Sequence, residues 1–298
     1  MKIEWKPKFI EQYKELTDID RFLEYSLKPL PKTIRVNTLK TSILEIKKRF
    51  DLESIPWCKE GFKVKGYALG NTKEHFLGYF YIQGAASMIP PIVLNPKKNE
   101  IVLDMCASPG SKTSQMAAMM KNKGLILAND IKIDRLQPLT ANLQRLGVAN
   151  TIITRMSGGW FEKKQYDKVL VDAPCSGIGT IRKSLKTIKI WNPNYAKKMF
   201  CLQKKLVDAG IKVLKVGGSL VYSTCTLEPE EDEGIVNHIL ASHENMKIEK
   251  INIDIKRSKP IEEFKGKRFT SEVKKSLKIW PQDNDSEGFF VAKFTKTI

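Results

Sequence analysis

Two cysteines stand just beyond apolar segments of the chain, where a thiol would be available for chemistry. Cys175 follows the run Val169-Leu170-Val171-Asp172, and Cys225 follows Leu220-Val221-Tyr222-Ser223. A deprotonated thiol is a strong nucleophile, and Asp172 adds a carboxyl group nearby. Ligands of open parallel sheets bind beyond the carboxyl ends of the strands, so we expect both thiols at one edge. The residue types predict covalent chemistry by a thiolate but leave open which cysteine attacks.

A loop of small residues follows another apolar run and indicates a binding site for a nucleoside. Val102-Leu103-Asp104 precedes Cys106-Ala107-Ser108-Pro109-Gly110-Ser111-Lys112, where a helix is predicted to begin. Small side chains expose the loop amides, and the helix start adds partial positive charge for an anionic group. A nucleotide triphosphate is disfavoured because Ser111 interrupts the Gly-Lys-[Ser/Thr] sequence of a P-loop. Asp130 ends the next apolar run, where similar folds place an acid for ribose hydroxyls, so we predict an adenosine-containing cofactor.

The elements that must position these residues alternate between short apolar runs and amphipathic helices from Glu100 onward. This order is typical of a doubly wound α/β fold, in which helices cover both faces of a parallel sheet. The predicted strands are Ile101–Cys106, Leu125–Asp130, Thr151–Met156, Lys168–Asp172 and Ser219–Ser223. The predicted helices are Lys112–Lys121, Asp134–Leu146 and Asn194–Lys215.

The two ends of the chain depart from this alternating pattern. Ser276–Lys296 predicts two strands joined by a turn-rich segment, which would form a closing antiparallel hairpin at the sheet edge. Another helix is predicted from Pro229 to about Ser242. We predict a small α+β N-terminal domain over residues 1–75, with Thr33–Lys40 as a basic strand, and a main domain over residues 76–298.

The charge balance predicts a polyanionic partner. Lys and Arg exceed Asp and Glu by 18 charges, and the 178–215 segment alone carries ten basic residues against Asp208. Such an excess suits the phosphates of nucleic acid, although a generally basic proteome would also produce it. The lysines of this segment would hold phosphates, with the small domain around Arg35 and Lys40 holding the nucleic acid from the other side. Trp191 either stacks on a base or packs in the core.

Several classes of protein are disfavoured. The five cysteines are odd in number and include no C-x-x-C pair, and the chain has only three histidines. We therefore expect neither a disulfide framework nor a metal site. The N-terminal residues lack the long apolar core of a signal peptide, and no stretch of about 18 residues is free of charge. These features predict a cytosolic protein without a membrane span.

Three motifs follow one another along the chain: Asp104–Thr113, Asp172-Ala173-Pro174-Cys175-Ser176-Gly177 and Ser223-Thr224-Cys225-Thr226. In sequence, order and spacing they resemble the Sun (Fmu) family of RNA 5-methylcytosine methyltransferases. The resemblance extends upstream to Arg35–Lys40 and Gln83–Met88 and downstream to Gly288–Lys293, so it covers nearly the whole chain. In size the chain is most similar to the compact archaeal tRNA enzymes.

The resemblance implies a Rossmann-like methyltransferase sheet, S-adenosyl-L-methionine as cofactor and C5 of cytosine as the target. C5 is a weak nucleophile, but addition of a thiolate at C6 with a hydrogen bond at N3 turns it into an enamine carbon. The family pattern implies that Cys225 is the nucleophile, that Asp172 holds N3 near the cofactor, and that Cys175 assists breakdown of the adduct. DNA cytosine methyltransferases attack from the cysteine of a Pro-Cys motif, which would point to Cys175 instead.

The same matching implies the cofactor residues. The loop from Cys106 to Lys112 would line the methionine and adenosine moieties, and Asp130 would hold the ribose. Arg135 would either help to order that site or be a solvated helix arginine. The family often has an acid after the third strand, whereas this chain has Thr154-Arg155-Met156-Ser157-Gly158-Gly159 there.

The implied substrate is tRNA. The alternatives are a ribosomal-RNA methyltransferase and a noncatalytic RNA-binding factor on the same fold. A cytosine stacked in a helix does not expose C6, so the target base must be unpaired or flipped out. We expect a monomer. The sequence leaves open which tRNA cytosine is modified and whether a helper protein sets the choice of site.

Overall fold

The computed structural model describes residues 4–66, 68–157 and 165–298. Its strands are β1 (Thr33–Val36), β2 (Leu52–Ile55), β3 (Cys58–Val64), β4 (Phe80–Ile82), β5 (Ile101–Asp104), β6 (Leu125–Asn129), β7 (Thr151–Thr154), β8 (Tyr166–Asp172), β9 (Leu214–Thr224), β10 (Met246–Glu249), β11 (Glu263–Phe264), β12 (Lys267–Arg268), β13 (Leu277–Ile279) and β14 (Phe289–Lys296). Its helices are α1 (Pro7–Lys14), α2 (Ile19–Leu27), α3 (Ile43–Lys47), α4 (Lys73–Phe76), α5 (Ile89–Leu94), α6 (Ser111–Met119), α7 (Ile133–Leu146), α8 (Lys186–Ile190), α9 (Pro193–Val213), α10 (Glu233–Ser242) and α11 (Pro281–Asn284).

The large sheet has the strand order β10-β14-β9-β8-β5-β6-β7, and β13 also pairs with β14. Five neighbouring strands are parallel, namely β9, β8, β5, β6 and β7. Strand β14 is antiparallel to β9, β10 and β13. This arrangement confirms the predicted Rossmann-like α/β sheet with its closing antiparallel hairpin. The sequence analysis does not predict β10, which extends the sheet beyond β14.

Alternating side chains of the central strands pack into two hydrophobic layers. Val169 and Val171 of β8 belong to the layer that contains Val207 of α9 and Ile235 of α10. Leu170 belongs to the opposite layer, which contains Met116 of α6. Helices therefore cover both faces, as a parallel sheet requires. The predicted helix to Lys215 is two residues too long, because the chain enters β9 at Leu214.

A second, antiparallel sheet near the N-terminus has the strand order β2-β3-β1-β4. Its apolar cluster includes Ile34, Ile46, Phe62 and Phe80. Strand β4 follows residue 75, so this small sheet extends past the predicted end of the N-terminal domain. The division of the chain into two domains stays a prediction.

Helices α1 and α2 do not belong to the small sheet. Phe9, Tyr13 and Phe22 pack in one cluster with Trp191 and Trp280. The side chain of Trp191 is buried, and its indole Nε1 donates a hydrogen bond to Glu228 Oε1 at 2.7 Å. The prediction that Trp191 packs in the core is therefore correct, and the alternative that it stacks on a base is wrong.

Arg35 lies inside the molecule rather than on an RNA-facing surface. It is only 2% exposed, and its Nε and Nη2 donate to Gln83 Oε1 and Ser114 Oγ, both at 2.8 Å. Burial lowers the pKa of the guanidinium to about 10. This side chain joins β1 to helix α6, so Arg35 itself does not face RNA, and contact of RNA with the small domain stays a prediction. Lys40 is exposed, and its ammonium donates to the carbonyl oxygens of Leu77 and Arg145.

The described part of the chain contains no helix that is both long enough and apolar enough to cross a bilayer.

Candidate active site

The two predicted cysteines meet beyond the carboxyl ends of β8 and β9. Cys175 Sγ and Cys225 Sγ are 3.4 Å apart, within hydrogen-bonding distance for sulfur. Asp172 ends β8 opposite Ser223 of β9, whose hydroxyl donates to Asp172 Oδ1 at 2.8 Å. The parallel register of these strands therefore brings both thiols and one carboxylate to a single edge of the sheet.

Lys112 connects this edge to the loop of small residues. Its ammonium lies 2.7 Å from Asp172 Oδ2, donates to Ser87 Oγ at 2.9 Å and sits 5.5 Å from the centre of the Phe289 ring. The Lys112 side chain is 8% exposed, whereas the Asp172 side chain is 27% exposed and remains accessible. The ion pair with Lys112 fixes the orientation of the Asp172 carboxylate.

A cavity of about 280 Å³ opens above these residues. Cys225 is among its lining residues, whereas Cys175, Gly110, Asp130 and Arg135 are not. The lining also contains Asp104, Asp172, Lys112, Lys183, Ser111 and the loop residues Cys106, Ala107, Ser108 and Pro109. A molecule in this cavity would therefore meet the Cys225 thiol, the Lys112–Asp172 pair and the predicted cofactor loop together.

Their neighbours give the two thiols different acidities. The hydrogen bond from Cys175 lowers the pKa of Cys225, and the charges of Lys112 and Lys183 lower it further, against burial and the charge of Asp172. The pKa of Cys175 is raised well above its ordinary value by its hydrogen bond with Cys225, by burial and by Glu231. These neighbours make Cys225 the more acidic thiol of the pair. The residue types alone did not provide this distinction.

The cofactor loop has a fixed backbone shape. Gly110 has a φ of 95°, which favours glycine, and an added Cβ would lie 3.1 Å from Leu139. Arg135 Nη2 donates to the carbonyl oxygen of Ser108 at 2.8 Å, and the Ser108 hydroxyl donates to Arg135 O at 2.7 Å. These contacts join the loop to α7. Burial raises the pKa of the Cys106 thiol, so this cysteine stays neutral.

Two buried carboxyl groups at the ends of β5 and β6 each keep one oxygen without a hydrogen bond among the described residues. Asp130 Oδ1 accepts from Lys132 N, while Oδ2 lies 3.3 Å from Arg135 Nη1 without hydrogen-bond geometry. Asp104 accepts from Thr113, and burial raises its pKa to about 7. Carboxyl oxygens that lack a hydrogen bond, beside a glycine-containing loop, fit the hydroxyl and ammonium donors of S-adenosyl-L-methionine. Gly158 and Gly159, in the segment without the family's usual acid, lie outside the described residues.

The residues that hold the cysteine loops carry no recognisable motif in the sequence. Glu231 Oε2 accepts from Ser176 N at 3.0 Å and from Gln203 Nε2 at 2.8 Å, and burial raises its pKa to about 8. Lys183 pairs with the buried Glu287 at 2.7 Å at the rim of the cavity. No local pattern marks these acids, because their partners are remote in sequence.

Two glycines form a close backbone contact next to Cys225. Gly179 N donates to Cys225 O at 3.0 Å, and Gly288 N donates to Gly179 O at 2.9 Å. A Cβ on Gly179 would collide with the Gly288 carbonyl group and lie 2.8 Å from Cys225 O. The carbonyl end of Cys225 is thereby fixed by backbone atoms.

Comparison with known proteins agrees with this architecture. Residues 91–295 match the family model of 16S rRNA methyltransferase RsmB/F, and residues 6–85 match the N-terminal domain of 16S rRNA methyltransferase RsmF. The chain is 46% identical to the tRNA (cytosine(49)-C(5))-methyltransferase of Pyrococcus abyssi, over 97% of this chain and 96% of that protein. It is 40% identical to ribosomal RNA small subunit methyltransferase F of Shewanella loihica, over 93% of this chain but only 59% of that protein.

Two solved structures share the fold over almost the whole chain. A methyltransferase homolog from Pyrococcus horikoshii has a TM-score of 0.84 and 35% identity, covering 98% of this chain and 99% of that one. NSun6 from Pyrococcus horikoshii, solved with the S-adenosylmethionine analogue SFG, has a TM-score of 0.87 and 25% identity, covering 98% of both chains. The chain belongs to the RsmB/F (Sun) family of S-adenosylmethionine-dependent RNA cytosine-5 methyltransferases.

Proposed function

We propose that the protein methylates C5 of cytosine in tRNA through a covalent bond between Cys225 Sγ and cytosine C6. The observation that carries this proposal is the position of Cys225. Its thiol lines the cavity, has a lowered pKa and lies beside both Asp172 and the cofactor loop. A noncatalytic RNA-binding factor would need none of this thiol chemistry.

The chain's own residues account for the proposed steps. The Cys225 thiolate adds to C6, while the Asp172–Lys112 pair supplies the hydrogen bond or proton at N3 that makes C5 nucleophilic. S-adenosyl-L-methionine supplies the methyl group as an electrophile when bound. C5 then loses its proton to a base, the C6–S bond breaks as N3 gives back any proton to the Asp172–Lys112 pair, and Cys225 returns to the thiolate. Cys175, whose sulfur is 3.4 Å away, is the group that we assign to assist this breakdown.

The surroundings of the cavity support an RNA substrate. The active-site cavity shares Ile82, Gln83, Gly84 and Lys183 with a neighbouring cavity of about 530 Å³, so a strand could pass from one to the other. The exposed lysines Lys186 and Lys189 lie in the nearby helix α8. Trp191 is buried and cannot stack on a base. Tyr195, whose side chain is exposed at the start of α9, is an aromatic residue of this basic segment that is available for stacking.

The proposal of tRNA over ribosomal RNA rests on similarity, because the chain is 46% identical to the Pyrococcus abyssi tRNA enzyme and 40% identical to the Shewanella loihica ribosomal RNA enzyme. The chain spans 96% of the Pyrococcus abyssi tRNA enzyme but about three fifths of the Shewanella ribosomal RNA enzymes. Ribosomal RNA is the second candidate, because the matching family models are those of 16S rRNA enzymes.

Bisulfite sequencing of unmodified tRNA and 16S rRNA after reaction with the purified enzyme tests both candidates. We expect protection of cytosine in tRNA. Cys225→Ala should abolish methylation while RNA still binds. Cys201→Ala, which removes an exposed cysteine, should retain activity. Methylation confined to 16S rRNA would contradict the choice of substrate.

The Cys175→Ala variant tests the division of labour between the thiols. Attack and methyl transfer should still occur, but slow breakdown should leave a protein–RNA species that survives denaturing electrophoresis. The Cys175→Ala/Cys225→Ala double variant should lose that species. If the adduct accumulates in Cys225→Ala and is lost in Cys175→Ala, the nucleophile is Cys175.

A further inference from the structure

Two of the chain's three histidines meet one carboxylate on the outer side of the large sheet. His238 Nε2 and His243 Nε2 each lie 2.8 Å from Asp208 Oδ1. Asp208 is in α9, His238 is in α10 and His243 caps the end of α10. All three side chains are partly exposed, with 43%, 19% and 24% of their surface accessible.

We propose that Asp208, His238 and His243 form a binding site for a divalent ion of the zinc class. One atom from each residue lies within 4.8 Å of the other two, so a single ion can reach all three. Imidazole nitrogen and carboxylate oxygen are ordinary zinc ligands, and three protein ligands leave the fourth tetrahedral position for water. His238 and His243 have the H-x4-H spacing of zinc ligands, but their third partner, Asp208, lies 30 and 35 positions away, so the sequence does not show the full set.

The orientation of the imidazoles supports this assignment. His238 directs Nε2 to Asp208, while its Nδ1 lies 3.3 Å from Ser242 Oγ. A hydroxyl at the second ring nitrogen is the kind of outer partner that orients a metal-bound histidine. The two rings are nearly perpendicular, with centroids 6.2 Å apart, so both present their Nε2 edges to the carboxylate.

The site would connect two helices that also meet near the catalytic cysteines. Gln203 of α9 donates to Glu231, which precedes α10 and holds the Cys175–Ser176 loop. Asp208 and the two histidines join the same pair of helices further along. Ion binding would therefore stabilise the packing of α9 against α10 without touching the cavity.

Zinc titration of the chelator-treated, full-length protein tests the proposal. Calorimetry should show a site of one Zn²⁺ per chain that is weakened more than about a hundredfold in His243→Gln, because changing outer partners alone weakens metal binding about 10–100-fold. His75→Gln, which changes the third histidine, should bind as the wild type does. Zn²⁺ should raise the melting temperature of the wild type and His75→Gln but not of His243→Gln.

Asp208→Asn separates an ion site from a hydrogen-bonded cluster. The amide oxygen can still accept from both imidazoles, so the metal-free variant should fold and melt like the wild type, but loss of the charge should weaken zinc binding. Co²⁺ provides a second readout, because thiolate ligands give charge-transfer bands that histidine and carboxylate ligands lack. Wild-type affinity in both Asp208→Asn and His243→Gln, or a Co²⁺ spectrum showing only thiolate ligation, would overturn the proposal.

Discussion

The pKa values of the two thiols differ because of the hydrogen bond between them and the charges around them. Cys225 is influenced by the ammonium groups of Lys112 and Lys183, whereas Cys175 is influenced by Glu231. The hydrogen bond between the two sulfurs is the larger cause, because it stabilises the thiolate on one sulfur at the expense of the other. At the residue scale these surroundings favour Cys225 as the nucleophile that we propose.

Alkylation kinetics should reveal this selection. Iodoacetamide should modify Cys225 with a pH midpoint below the value of about 8.5 for an ordinary thiol. In Cys175→Ala the midpoint should move upward, because the hydrogen bond that stabilises the thiolate is lost. Mass spectrometry of the separate peptides identifies each cysteine, with exposed Cys201 as the internal reference. An unchanged midpoint in Cys175→Ala would assign the acidity of Cys225 to the lysines alone.

Asp130→Ala should weaken binding of S-adenosyl-L-methionine by about 1.5–3 kcal/mol, the usual effect of losing hydrogen bonds to a charged group. The buried Asp130 Oδ2, which has no hydrogen bond among the described residues, is the acceptor that we assign to the ribose hydroxyls. Calorimetric titration measures the loss. The matched control is Asp134→Ala in the exposed first turn of α7, which should bind normally. Equal affinities of the two folded variants would remove Asp130 from the site.

At the scale of elements, a buried ion cluster joins β13 to the start of α10. Lys278 Nζ lies 3.0 Å from both Asp232 Oδ2 and Glu233 Oε2, and all three side chains are fully buried. Thr224, the residue before Cys225, donates to Asp232 Oδ1. This cluster therefore fixes the end of β9 that precedes Cys225.

Lys278→Met should destabilise the protein by about 3–5 kcal/mol, because two carboxyl groups lose their buried partner. Burial raises the pKa of Asp232 to about 7 even though Lys278 lowers it. Without Lys278 the pKa of Asp232 rises further. The carboxyl is then neutral at low pH but becomes an unpaired buried charge as the pH rises, so the loss of stability should grow from pH 5 to pH 8. Urea unfolding at both pH values measures this change. Lys274→Met removes a surface pair with Glu262 and should change stability by no more than about 1 kcal/mol at either pH.

Sequence patterns predicted the strands that carry the site because each is a short apolar run ending at a polar residue, as at Asp104 and Asp172. Patterns failed where burial depends on remote partners. Arg35 belongs to a strand that is basic in sequence, yet it contacts Gln83 and Ser114 in the interior. The acids near Pro229 suit a helix start, and nothing local indicates that Asp232 meets Lys278. Strand β10 alternates Met246 and Ile248 with charged residues, so it lacks the continuous apolar run that marks β5 and β8.

At the scale of the whole molecule, the excess of 18 positive charges should govern RNA affinity through counterion release. Several basic residues of the 178–215 segment are already paired, as Arg182 is with Asp285 and Lys215 with Asp167. Lys186 and Lys189 remain exposed in α8. These two lysines are therefore better probes of phosphate contacts than Lys183, whose reversal would also disturb the cavity.

Reversing Lys186 and Lys189 to Glu should reduce the slope of log affinity against log salt concentration by about 2, one for each lost phosphate contact. Filter binding of tRNA at several salt concentrations measures the slope. Reversing Lys247 and Lys250, exposed in and beside β10 at the far edge of the sheet, makes the same change in net charge and should leave the slope nearly unaltered. Equal effects of the two reversals would indicate that RNA binds elsewhere or responds only to total charge.

The backbone contact of Gly179 with Gly288 limits how this active site can evolve. A single methyl group at Gly179 would press on Gly288 and on the carbonyl oxygen of Cys225, so neither glycine offers a side chain for selection to alter. Substitutions that tune the reactivity of Cys225 must therefore act from its other side, through the lysines and the partner thiol. A saturation library scored for methylation should find these two positions intolerant even of alanine.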